Sequence, residues 1–185
     1  VQRMIALRKK GVAITYIPGN HDIFMRKYLG TELYGMPVAP RAFHQTAEGR
    51  TLLVVHGDEF DLRQTYGSPL TKVGGILHKA LIASNAHVNR WRARRQLPYW
   101  PLTRRLKQQP IAAKWIDRFE HQAVRHVQDN GYNVDGVVCG HIHAPRIRHQ
   151  SGFSYYNAGD WLESCSLLTE DQSGRISLVY WPYTE

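Results

Sequence analysis

The 185-residue chain is 43% hydrophobic and 21% charged, which supplies a buried core for one domain and excludes wholesale disorder. No run approaches the roughly 18 consecutive apolar residues of a membrane-spanning helix, and two cysteines, Cys139 and Cys165, are too few for a disulfide scaffold. The net charge of +9 has one source: residues 62–116 hold eleven of the 24 Lys and Arg and no Asp or Glu, leaving thirteen basic against 15 acidic residues elsewhere. A basic internal segment therefore interrupts a slightly acidic body, and it calls for an anionic partner.

Val1 to Lys10 reads as the end of a helix, with Met4, Ile5 and Leu7 on one side and Gly11 as its stop. Val12 to Ile17 is rich in β-formers and ends at Pro18-Gly19, as a strand running into a loop does. Leu52 to Val55 is a second such run, stopped at His56-Gly57-Asp58, and Val134 to Cys139 is a third, stopped at Gly140-His141. Short, continuous apolar runs of this kind suit strands buried on both faces. Inside the basic segment, Val73, Ile76, Leu77, Leu81, Val88 and Trp91 mark an amphipathic helix. Ile111, Trp115, Ile116, Phe119, Ala123, Val124 and Val127 mark another, ended by Asn130-Gly131. Phe153 to Asn157 and Ile176 to Trp181 are expected to pair as a closing antiparallel hairpin. Alternating strands and helices indicate a mixed α/β (α+β sandwich) domain spanning 1–185, with residues 62–116 as a basic helical insertion between the second and third strands.

All three strands deliver polar residues just past their carboxyl ends, where ligand sites collect in open α/β sheets. Those residues are Gly19-Asn20-His21-Asp22, His56-Gly57-Asp58 and Gly140-His141-Ile142-His143. Imidazole nitrogens and an amide oxygen are acceptable ligands for Mn, Fe, Co or Zn. Singly, His56 reads as a hydrogen-bonded loop histidine and Asn20 as a turn residue. Together and in this order they read as a metal site. Two ions about 3.5–4 Å apart are the usual device for phosphate-ester hydrolysis.

Pro18-Gly19-Asn20-His21-Asp22, His56-Gly57-Asp58 and Gly140-His141-Ile142-His143 resemble the last three signatures of the calcineurin-like metallophosphoesterases. Within them, His56 to Asp61, Pro98-Tyr99-Trp100 and Asn157 to Cys165 resemble the UDP-2,3-diacylglucosamine diphosphatase family of lipid A biosynthesis. The resemblance implies two packed sheets flanked by helices, two divalent ions (Mn first, with Fe, Co or Zn as alternatives) and cleavage of a nucleotide-linked lipid diphosphate. It makes Asn20, His56 and His141 ligands of the second ion and His143 a ligand of the first. His21 resembles the histidine that faces the scissile phosphate and protonates the leaving group. Asp22 is either its orienting partner or an ordinary turn or capping residue. Members of this branch carry either His or Arg after the Asn, so His21 points toward a paralogue with its own substrate.

The resemblance also implies an Asp-x-His and a Gly-Asp-x-x-Asp motif upstream of Gly19, yet Val1 to Ile17 contain neither Asp nor His. The sequence does not begin with Met and shows no signal-peptide pattern, so the chain is expected to be part of a longer product, inactive alone.

The basic segment suits a lid over an anionic, partly apolar substrate, with Lys107 and Lys114 as phosphate contacts. Arg and Lys beside Trp and Leu also suit peripheral contact with an anionic membrane. The competing class is a nuclease or nucleic-acid binder, because Trp91, Tyr99 and Trp100 lie among the basic residues. The thiols are expected in the core of a cytoplasmic protein.

Overall fold

The computed structural model describes residues 1–61, 84, 87–88, 90–92, 94–97, 110–150, 152–161 and 164–181. Most of the basic segment, including Lys107 and most of the helix expected over 73–91, lies outside them.

Helix α1 (Gln2–Lys9) forms where expected, but it buries no residue; Met4 and Leu7 face solvent. A 3-10 turn at Ile23–Tyr28 and one short strand pair follow, β1 (Glu32–Leu33) against β2 (Met36–Pro37). The centre of the fold is a five-stranded sheet of β3 (Ala42–Gln45), β4 (Thr51–Val54), β5 (Gly136–Cys139), β6 (Arg146–Gln150) and β7 (Phe153–Asn157). Its order is β3-β4-β5-β7-β6. The middle three strands run parallel, with Leu53 opposite Val137 and Val137 opposite Tyr155, while β3 and β6 close the edges antiparallel. Parallel neighbours need a crossover, and helix α2 (Pro110–Asp129) supplies the one between β4 and β5.

Helix α2 lays Ile116, Phe119, Ala123 and Val127 on Leu53, Val55, Val137, Cys139 and Tyr155. The i, i+3, i+4 spacing of those four residues puts them on one stripe. Fully burying a side chain such as Phe119 contributes about 1.5–3 kcal/mol. Residues 110–116 of the basic segment are thus the first turns of this core helix. A final pair, β8 (Ser166–Glu170) against β9 (Ile176–Tyr180), meets the large sheet beside β6. The architecture is mixed α/β, with a central sheet and helices.

Two expectations are corrected. Residues 12–17 do not form a buried strand; they contribute one bridge, Tyr16 beside Val38, and Val12 is exposed. Residues 153–157 and 176–180 are both strands, but they do not pair. The first is inserted between β5 and β6, and the second pairs with β8, a run that periodicity did not reveal.

Candidate metal centre

Because β4, β5 and β7 are parallel, the segments that follow them emerge at one edge of the sheet: His56-Gly57-Asp58, Gly140-His141 and Ala158-Gly159-Asp160. The loop at 18–22 reaches the same edge. Asp22 folds it, accepting hydrogen bonds from the Tyr16 hydroxyl and from the Gly19 N–H at 2.6 Å. Burial and then the Asp22 carboxylate push the Tyr16 hydroxyl up to about 12. Both Asp22 oxygens are therefore committed to the turn, and among the described residues none of its hydrogen bonds goes to His21. It also makes no capping bond to the 3-10 turn that follows. Of the readings open for Asp22, the turn residue is the one with observed contacts.

That turn carries Asn20 against His56, with Asn20 Oδ1 3.0 Å from His56 Nε2. Gly19 permits the approach: a Cβ there would stand 2.5–2.6 Å from the two ring nitrogens of His56. Gly57 likewise takes φ +108°, and a Cβ there would lie 3.2 Å from Cys139 Cβ and 3.5 Å from His141 Cβ. The His56 and His141 rings meet edge to face, 5.4 Å between centroids, and Phe119 from α2 stacks behind His141 at 5.9 Å. Burial holds His56 below the ordinary imidazole range, with Asp58 and Asp22 opposing and His141 and Arg26 assisting. A neutral imidazole keeps the lone pair that a metal ligand needs.

His141 is the most committed group. Its side chain is 8% exposed and its Nε2 lies 3.3 Å from Asp61 Oδ2. A carboxylate only accepts, so Nε2 is the donor in that contact, and in the neutral ring Nδ1 is the nitrogen left to act as a ligand. Nδ1 is buried and has no hydrogen-bond partner among the described residues. His141 and His143 both adopt left-handed backbone, φ 65° and 52°, with Ile142 buried between them. Non-glycine residues hold this conformation at some cost, and such residues gather at functional sites. His143 lies with Asp160, 3.9 Å from Nδ1 to Oδ2, an ion-pair distance too long for a hydrogen bond.

The donor set fits one divalent ion. Two ligand atoms held at about 2.1 Å and at right angles on an ion stand about 3.0 Å apart, which is the observed Asn20–His56 separation. His141 Nδ1, buried and without a hydrogen-bond partner among the described residues, would supply a third donor, with Asp61 on the other ring nitrogen as the carboxylate partner that ligating histidines keep. Among the described residues no three His, Cys, Asp or Glu side chains converge to hold an ion by themselves. This set depends on the Asn20 amide as its third member, and His143 stands with Asp160 instead.

Asp61 and Asp160 fall within the stretches His56 to Asp61 and Asn157 to Cys165 that carry the resemblance, but their spacing gives neither a role of its own. Asp58, which follows a strand-end His, makes no hydrogen bond to a histidine among the described residues. It is buried and takes two hydrogen bonds from Arg26 Nη2, at 2.6 and 2.8 Å. His21 is exposed on the loop, and Lys114 is exposed on α2. Cys139 and Cys165 are both buried, as expected. Burial pushes the Cys139 thiol up to about 12, outweighing the hydrogen-bond contacts with Tyr155 and Asn157 that act in the opposite direction. Cys139 should therefore resist iodoacetamide at pH 8 in the folded protein and react on addition of urea; labelling of the native protein at the rate of a free thiol would contradict this environment.

Residues 1–145 match the family model of the calcineurin-like phosphoesterases, so the chain belongs to that family. Members are phosphoester-hydrolysing enzymes that generally use two divalent metals. The chain is also similar to the UDP-2,3-diacylglucosamine hydrolases of Neisseria meningitidis serogroup C (strain 053442) and Neisseria gonorrhoeae (strain ATCC 700825 / FA 1090). Each is 25% identical over 174 residues, covering 92% of this chain and 69% of the relative.

Proposed function

We propose that Asn20, His56 and His141 bind one divalent ion of a two-metal phosphoesterase site, and that His143 serves the other. The observation that carries this reading is the His141 ring, with Nε2 on Asp61 and Nδ1 buried without a partner beside the Asn20–His56 pair. The ions, Mn being the first candidate, would activate the attacking water and neutralise phosphoryl charge. His21, exposed at the mouth, hydrogen-bonds a phosphoryl oxygen and delivers a proton to the departing oxygen as the phosphorus–oxygen bond breaks. Asp22 holds the loop that presents both residues. Lys107 and Lys114 of the basic segment, which acts as a lid, contact phosphate oxygens.

The preferred substrate is UDP-2,3-diacylglucosamine, cleaved to UMP and the acylated sugar phosphate, as similarity to the UDP-2,3-diacylglucosamine hydrolases of Neisseria suggests. The segment at 62–116 offers cations for the diphosphate and Trp and Leu for acyl chains, consistent with a cytoplasmic enzyme at an anionic membrane surface. The test is release of UMP from that substrate by the full-length gene product, with and without chelator and with added Mn2+. Metal-dependent release is expected. Failure to cleave any phosphate ester or diphosphate would refute the reading, whereas turnover of other nucleotide diphosphates alone would remove only the acylated substrate.

A further inference from the structure

His56 also lines a cleft of about 440 Å³, together with Pro18, Arg26, Leu29, Arg41, Asp58 and Glu59. A volume of that order holds a phosphoryl group and part of the moiety attached to it. Its two acids are turned elsewhere. Asp58 is occupied by Arg26 Nη2, and Glu59 accepts the Gly57 N–H at 3.1 Å. The two arginines are held but not consumed. Arg26 spends one nitrogen on Asp58, and its Nε and Nη1 have no hydrogen bonds among the described residues. Arg41 lies with its guanidinium 5.4 Å from the Tyr132 ring centroid and forms no ion pair among the described residues.

We infer that Arg26 and Arg41 clamp the second phosphate of a diphosphate substrate in this cleft, beside the phosphorus attacked at His56. The inference rests on the phosphoesterase reading above and adds the residues that select a diphosphate over a simple phosphate ester. A guanidinium presents donors in a fixed fork that matches phosphate oxygens, and one already anchored by a buried carboxylate or an aromatic face loses less entropy in binding. Asp58 is the positioning residue of this arrangement: it contacts Arg26 rather than substrate, and it sits two residues after His56, so it ties the clamp to the metal-centre loop.

The experiment has two arms. In metal-free buffer with chelator, inorganic pyrophosphate is titrated into the wild type, Arg41→Gln, Arg26→Lys and Asp58→Asn. With Mn2+, the same proteins are assayed on UDP-N-acetylglucosamine, a diphosphate without acyl chains, and on bis-p-nitrophenyl phosphate, which has one phosphate. Each arginine change should weaken pyrophosphate by about tenfold or more, the contribution of a charge-assisted hydrogen bond. Each should also raise KM for the diphosphate at least tenfold more than for the diester. Asp58→Asn should produce a smaller shift in the same direction, because the guanidinium stays but loses its anchor. Arg41→Gln removes no partner of a buried group, so it keeps the test interpretable if the Arg26 or Asp58 variants unfold. Pyrophosphate affinity unchanged within twofold in folded Arg41→Gln, or equal losses on both substrates, would overturn the clamp while leaving the hydrolase reading intact. Arginine-dependent pyrophosphate binding with no hydrolysis of either substrate by the wild type would do the reverse.

Discussion

In the full-length gene product, His141→Ala should bind metal more weakly and recover part of its activity in excess metal, whereas His21→Ala should keep its metal and turn over about 10²–10⁴-fold more slowly. The difference follows from what each ring touches. His141 is clamped between Asp61 and the Phe119 ring, with its remaining nitrogen buried and unpartnered. Such a group is built for a ligand. Among the described residues His21 has no hydrogen-bond partner and faces solvent, while its neighbour Asn20 occupies the position facing His56. Such a group is free to meet a substrate. Because residue 141 sits at φ 65°, His141→Asn is the companion variant, since Asn tolerates left-handed backbone and a folding loss can then be separated from a ligand loss. Metal content by mass spectrometry, read beside kcat, decides the matter. If His21→Ala loses its metal and His141→Ala retains it, the two roles are exchanged and the mechanism fails.

The parts of the fold that were legible in the sequence are those where one pattern admits one outcome. Leu52 to Val55 and Val134 to Cys139 are apolar on both faces because they lie in the middle of a parallel sheet. The stripe from Ile116 to Val127 has a single helical reading, and the structure buries it. Residues 12–17 have the same β-rich composition as a central strand, but among the described residues their one β-bridge is at Tyr16, and composition does not record which neighbours are available. The pairing of 153–157 was misjudged for a related reason. Its edge neighbour Arg146–Gln150 alternates Arg, Ile, Arg, His and shows no apolar signal, because both arginines reach out to acids on α2. Strand-end glycines and histidines were readable as a site because each follows an abrupt stop. Asp61 and Arg26 were not, since their roles depend on contacts between loops distant in sequence.

The acids on α2 lead to the second large effect, an asymmetry in stability. Glu120 is 1% exposed, and its carboxylate takes contacts from Arg146 at 3.2 Å, Arg148 at 3.0 Å and Gln150 at 3.3 Å. The arginine side chains are 29% and 40% exposed, and Asp117, which also binds Arg146, is 44% exposed. Deleting the arginines strands a charge inside, while deleting the acid does not. Arg146→Ala with Arg148→Ala leaves Glu120 in the interior with only an amide donor, a loss of about 3–5 kcal/mol. Glu120→Ala removes the buried charge itself, and the two guanidiniums regain water, so the cost is about 1–3 kcal/mol for the lost charged hydrogen bonds. Asp117→Ala, at the exposed end of the same network, should cost under about 1 kcal/mol. Adding Glu120→Ala to the double arginine variant should then restore stability, since it withdraws the stranded carboxylate. Urea unfolding midpoints at constant m-value report all four proteins. A Glu120→Ala variant as unstable as the double arginine variant, or a triple variant less stable than the double, would mean that the network stabilises through packing and not through the pairing of a buried charge.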